Sequence, residues 1–332
     1  MKVSRMRVAC ASLSALAVLS GFFAFHGCST FSTRTGGGDY TVERDVVFTP
    51  PQWPQPLTAD VYTPRGEGPF PAVLLVHGGG WRRRDRSDMA SLSERFAARG
   101  FVAVNTSYRF APTYRFPAQL EDLRQALRWM HENAALHRLD STRIGALGYS
   151  AGAHLVTLLA TVSPGDELDE SSDGRTLRPR AVVGGGTPTD LRKFKGGRLV
   201  PEFLGATQQE NPAVFALASP IVHVTPDDPP MFLYHGAWDA LVPPSHAIDM
   251  KRALDAAGVR SELRIERGLG HMTTFALGRS AHAGAIAFLE RELAAGLLMT
   301  SVSLTPTPDA SVRARHVVLA RPRSDAGTLI PD

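Results

Sequence analysis

Short apolar runs and helix-spaced apolar positions alternate along most of this chain. Residues 72–76 form a continuous apolar run between Pro71 and a glycine cluster, the pattern of a strand buried on both faces. Residues 87–99 predict a helix ended by Gly100, and 101–105 the next strand. Pro117 stands where a helix begins, and Leu120, Leu123, Leu127 and Met130 then recur at helical spacing. Strands at 143–147, 181–183, 229–234 and 262–266 alternate with helices at 151–161, 245–257 and 279–293. Ahead of them, 41–48 and 57–63 are β-rich runs either side of Pro-Pro-Gln-Trp-Pro-Gln-Pro, which predicts an antiparallel entry pair. Together these imply an α/β fold: a mostly parallel central sheet of about eight strands with helices on both faces.

Two segments break the alternation. Residues 193–220 are irregular, with glycines and prolines, and read as a small insertion shaping a pocket. Residues 297–332 are rich in Pro, Ser, Thr and Arg and read as a mobile tail, with Val317-Val318-Leu319 as the one stretch able to add an edge strand. At the other end, Lys2, Arg5 and Arg7 precede an apolar run at 8–25, the layout of a targeting segment over 1–27. The Ser/Thr/Gly-rich residues 28–39 then predict a flexible tether, so the folded body spans 40–296.

Composition sharpens this picture in two places. The only cysteines are Cys10 and Cys28, so no internal disulfide or thiolate metal site is expected after residue 28. Cys28 follows Gly27 at the end of the apolar run and resembles a bacterial lipobox, which implies lipidation at Cys28, export and anchoring in the cell envelope. A cleaved secreted or periplasmic protein and an uncleaved anchor are the competing readings. The balance of 36 Lys+Arg against 32 Asp+Glu leaves a formal charge of +4, too weak an excess to suggest a nucleic-acid partner. The one dense basic stretch is Arg82-Arg83-Arg84-Asp85-Arg86, read as a solvated loop with local salt bridges or as a site for an anionic acyl or sugar group.

The candidate chemistry lies in loops that follow strands. Gly148-Tyr149-Ser150-Ala151-Gly152 is a GxSxG motif between a strand and a helix. A nucleophile on so tight a turn needs small neighbours at 148 and 152, and the turn lifts the Ser150 hydroxyl out of the sheet. His77-Gly78-Gly79-Gly80-Trp81 follows an earlier strand, where glycines let backbone amides approach an oxyanion at close range. The hole is assigned to the amides of Gly79, Gly80 and Ala151, with His77 structural rather than a base. Asp239 and His271 each follow a later strand, completing the order Ser, Asp, His. Asp190 competes as the acid, and His246 and His282 as the base; Asp190 follows an earlier strand and the two histidines fall in helices.

With Tyr108-Arg-Phe-Ala-Pro112, Phe116-Pro-Ala-Gln119 and His235-Gly-Ala-Trp-Asp239 added, the chain resembles the esterase/lipase branch of the α/β-hydrolases over residues 41–295. That branch includes hormone-sensitive-lipase-like carboxylesterases and acetyl-xylan/feruloyl-type esterases. The resemblance implies hydrolysis of small-molecule or carbohydrate esters through an acyl-serine, with no metal and no organic cofactor. The short region before the glycine loop holds no helical cap of the hormone-sensitive type, which tilts the expectation toward short acyl groups. Formamide or peptide hydrolysis and a non-catalytic binding lipoprotein are the alternatives. Prolyl-peptidase relatives carry a second Gly after the elbow, where this chain has Ala153.

Overall fold

The computed structural model describes residues 31–33, 39–169 and 177–302. The expectations for the targeting segment, Cys28 and Val317–Leu319 fall outside them. The sheet opens with β1 (Phe31–Thr33), β2 (Tyr40–Val47), β3 (Thr58–Pro64) and β4 (Phe70–Val76). Then come α1 (Ala90–Ala97), β5 (Val102–Thr106), α2 (Ala118–Glu132), β6 (Leu139–Tyr149), α3 (Ala151–Thr161) and β7 (Val182–Gly185). Two short helices, α4 (Leu199–Leu204) and α5 (Pro212–Leu217), precede β8 (Met231–Gly236). The chain continues through α6 (Ser245–Ala256), β9 (Ser261–Glu266), α7 (His271–Leu277) and α8 (Arg279–Val302).

The strands form one nine-stranded sheet in the order β1-β2-β3-β5-β4-β6-β7-β8-β9. Pairing is antiparallel from β1 to β5 and parallel from β5 to β9. This is the mostly parallel α/β sheet the periodicity implied. The additional strand is β1, which lies within the segment read as tether and pairs with the start of β2. Helix α8 also runs past the boundary expected at residue 296. The segment 193–220 holds α4 and α5, each six residues long and too short for a periodic pattern to reveal.

Alternation along β4 sorts the core into two halves. Leu74 and Val76 point to one face, against Leu120, Leu123 and Leu127 of α2 and Leu155 of α3. Val73 and Leu75 point to the other, against Phe96 of α1 and Phe288 and Leu289 of α8. Burying each such side chain contributes about 1.5–3 kcal/mol, so a strand apolar on both faces is fixed in the middle of the sheet. Strand order reverses beside β4: the chain steps to β5 on one side and returns to β6 on the other. The loops leaving β4 and β6 therefore diverge to opposite faces and open a crevice at their carboxyl ends.

Candidate active site

Ser150 stands in that crevice, in the single step from β6 to α3. Its backbone has φ 54 and ψ −121, a conformation rare for a residue with a side chain. The turn is held by close backbone packing. A Cβ on Gly148 would lie 2.4 Å from the carbonyl carbon of Gly152, and one on Gly152 would lie 2.2 Å from the carbonyl oxygen of Val76. Glycine at both positions is thus a steric requirement of the elbow. The Ser150 N–H donates to the Gly185 carbonyl at 2.7 Å, tying the turn to β7.

The structure brings together three side chains distant in sequence. His271 Nε2 is 2.9 Å from Ser150 Oγ, and His271 Nδ1 is 2.6 Å from Asp239 Oδ2. Because an ionised carboxylate only accepts, the proton sits on Nδ1, leaving Nε2 to accept from the Ser150 hydroxyl. Asp239 follows β8 and is buried; its Oδ1 accepts from the amides of Leu241 at 3.0 Å and Val242 at 2.8 Å. Burial opposes its ionisation, but hydrogen bonds from His235, His271 and the Val242 amide outweigh it. They hold the carboxyl well below the usual range. The sequence pattern puts His271 in a loop; in the structure it opens the short helix α7, directly after Gly270.

The competing residues are engaged elsewhere. Asp190 caps a one-turn 3-10 helix at 191–193 and pairs with Arg192 at 2.8 Å. His246 accepts from the Asp190 amide at 3.3 Å and stacks on Phe194, while His282 packs edge-on against Tyr234. Burial pushes both histidines down to about 4, so they are neutral at pH 7. His77 is fully buried, donates from Nδ1 to the Gly78 carbonyl at 2.7 Å and stacks on Tyr108.

Gly79, Gly80 and Ala151 line the same cavity as Ser150 and His271. Gly79 has φ +119, and a Cβ there would sit 2.0 Å from the Arg83 carbonyl oxygen, so the loop closes on itself over this residue. The Tyr108 hydroxyl donates to the His77 carbonyl at 3.1 Å. Trp81 donates from Nε1 to His154 Nδ1 at 3.2 Å and stacks on Phe203 at 4.5 Å. His154 in turn donates to the Ala218 carbonyl at 2.7 Å. The Arg-Phe-Ala-Pro motif is anchored by Arg109, whose Nε and backbone N–H reach the buried Asp122 at 2.7 and 2.8 Å. A stiff scaffold thus stands behind the glycine loop.

Three contributors were not read from the sequence. His235 lies 3.2 Å from Asp239 Oδ2; its place at the end of β8, four residues before the acid, was the available signal. Tyr149, the first variable residue of the GxSxG motif, donates its hydroxyl to the His271 carbonyl. The glycines of β7 and its following turn make room for the base. A Cβ on Gly185 would fall 2.2 Å from the Tyr234 ring, and one on Gly186 would fall 3.1 Å from His271 Cε1.

The cavity has a volume of about 330 Å³, with Phe194, Leu199, Val200, Leu241, Met272 and Phe275 forming an apolar wall. Phe194, Leu199 and Val200 come from the irregular insertion, which therefore shapes the pocket. Chemically, the set offers a hydroxyl beside an imidazole nitrogen, a carboxylate that fixes the tautomer, and glycine-rich backbone facing the same space. Such a set suits nucleophilic attack on a carbonyl whose apolar group packs in the cavity.

Esterase LipC of Mycobacterium tuberculosis is 32% identical over 190 residues, 54% of this chain and 47% of LipC. This chain spans about half the length of the curated relatives it matches. Esterase 2 of the planctomycete Thermogutta terrifontis, solved with butyrate and also phosphorylated by paraoxon, is 26% identical. The butyrate-bound structure superimposes with a TM-score of 0.63 over 75% of this chain and 94% of its own. A truncated carbohydrate esterase from gut microbiota shares the fold, with a TM-score of 0.67 at 23% identity over 76% of this chain and 96% of that one. The BD-FAE family model matches residues 59–254, a stretch that carries the glycine loop, the elbow and Asp239, and this chain belongs to that family of α/β-hydrolase esterases.

Proposed function

We propose that this protein is a serine esterase that hydrolyses short-chain or carbohydrate-linked carboxylic esters through an acyl-serine intermediate. The observation that carries the reading is the continuous hydrogen-bonded chain from Ser150 Oγ through His271 to Asp239 at the wall of an apolar cavity. Ser150 attacks the ester carbonyl while His271 Nε2 takes its proton. The negative charge passes to the carbonyl oxygen, where the amides of Gly79, Gly80 and Ala151 are the candidate donors. Ala151 opens an eleven-residue helix, whose N-terminal dipole favours the same charge. The imidazolium, stabilised by Asp239, then protonates the departing alcohol, and water activated by His271 releases the acid. The esterase names of the curated relatives and the butyrate-bound structure of a similar esterase support this reading.

Covalent labelling by a fluorophosphonate, combined with a graded panel of p-nitrophenyl esters, tests it. Labelling and turnover are expected in the parent and lost in Ser150→Ala. A folded parent protein that refuses the probe and spares every ester would overturn the reading. Export to a bacterial envelope with a lipid on Cys28 belongs to the same proposal, supported by the basic start, apolar run and Gly27-Cys28 junction. Incorporation of labelled palmitate, abolished in Cys28→Ser, is the expected result; an unlabelled parent would remove the anchor.

A further inference from the structure

The loop that follows the oxyanion glycines carries Arg82, Arg83, Arg84 and Arg86, and only one of them lacks a partner. Arg82 pairs with Glu202, Arg84 with Asp88, and Arg86 with Asp60 and Asp45. Arg83 is exposed and has no ion pair or side-chain hydrogen bond among the described residues. It nevertheless lines the cavity that holds Ser150 and His271. Its placement is built at a conformational cost. Trp81 at φ 59 and Arg84 at φ 73 are both left-handed without being glycine, and they bracket Arg83. The Arg83 carbonyl packs directly on Gly79, which fixes its backbone to the glycine loop. Arg198, at the same cavity and engaged with Glu202 at 2.9 Å, adds positive potential, whereas the one acid in the wall, Asp88, is neutralised by Arg84. One side of the cavity is therefore apolar, and another includes a residue, Arg83, whose guanidinium no acid among the described residues compensates.

We propose that Arg83 is a specificity-determining residue that reads a carboxylate on the substrate, so that the preferred esters are anionic. The inference rests on the serine-esterase reading and adds the substrate's charge to it. A guanidinium presents a planar fork that matches a carboxylate in a bidentate pair, and one left unpaired has this capacity free. The carboxylate can belong to the acid portion, as in a half-ester of a dicarboxylic acid, or to the alcohol portion, as in an ester of a hydroxy acid or sugar acid.

Two ester pairs separate those sources. In para-acetoxybenzoate against its methyl ester, the charge sits on the leaving group. In p-nitrophenyl hemisuccinate against p-nitrophenyl butyrate, it sits on the acyl group. The ratio of kcat/KM, anionic over neutral, is expected to reach roughly tenfold in one pair and to shrink in roughly 0.5 M salt. Arg83→Gln should bring that ratio close to one, and Arg83→Lys should retain part of it. Thermal melts of both variants guard against a folding defect. Ratios near one in both pairs, with Ser150-dependent cleavage of the neutral esters intact, overturn this proposal and leave the esterase reading standing. A preference that survives Arg83→Gln overturns the assignment to Arg83. Absence of both turnover and fluorophosphonate labelling sinks the two together.

Discussion

The carboxylate of Asp239 is bonded so asymmetrically that the outcome of replacing it by an amide can be worked out atom by atom. Oδ1 accepts from two backbone amides, Leu241 and Val242, while Oδ2 faces His271 Nδ1. In Asp239→Asn the amide oxygen must keep the first position, because turning the NH2 group toward two N–H donors would strand both at about 1–3 kcal/mol each. The NH2 group then replaces Oδ2 and donates to His271 Nδ1. That drives the imidazole proton to Nε2, opposite the Ser150 hydroxyl, where it can no longer accept. His235 Nε2 is 2.7 Å from the Val242 carbonyl, so it must carry a proton and cannot relieve the new contact. Turnover should fall on the order of 10⁴-fold, about 5.5 kcal/mol in the barrier. Steady-state kinetics on p-nitrophenyl acetate, with a thermal melt to show the fold retained, measure it. Asp239→Ala leaves His271 free to choose its tautomer and should be at least as active as the asparagine variant. A loss smaller than tenfold in Asp239→Asn, or an alanine variant much worse than it, would refute the tautomer argument.

Other outcomes follow from the same contacts. Gly152→Ala places a methyl 2.2 Å from the Val76 carbonyl oxygen, a backbone atom that cannot yield; a stability loss on the order of 3 kcal/mol is expected in urea unfolding, and a parent-like midpoint would contradict it. Tyr149→Phe removes the hydroxyl that holds the His271 carbonyl, so kcat should drop about fivefold to tenfold with KM little changed; an equal kcat would make that bond incidental. His154 is fully buried and pushed by burial down to about 4, the Ala218 carbonyl opposing, so between pH 6.5 and 4 the unfolded chain binds a proton that the folded one refuses. Stability must therefore fall with acidification, by about 1.4 kcal/mol per pH unit for this residue. From pH 7.5 to 5 that lowers Tm by roughly 4–8 °C, and a flat Tm would show the histidine already charged or exposed.

Legibility in the sequence tracked how local each signal was. The elbow, the glycine loop and the strand-to-helix alternation are written in contiguous residues, so their positions follow from local pattern alone. Asp239 and Asp190 both follow strands, and only the positions of β7 and β8 beside Ser150 show which carboxylate can reach His271. Helices α4, α5 and α7, of six or seven residues, complete barely two turns, so no apolar stripe announces them. His235 and Tyr149 act through single hydrogen bonds to distant partners, and a side chain's role in positioning another leaves no periodic trace. The pocket wall from 194, 199 and 200 reads in the sequence only as an irregular insertion, because packing rather than pattern decides which of its residues face inward.

The glycines of β7 and its following turn carry a lesson for mutational maps of this enzyme family. That strand donates no reacting atom, yet its empty side-chain positions are occupied by the Tyr234 ring and bordered by the imidazole of His271. A saturation screen scored by activity would therefore colour Gly185 and Gly186 as intolerant as the nucleophile itself. Reading such a map as a catalogue of chemistry would mistake reserved space for participation.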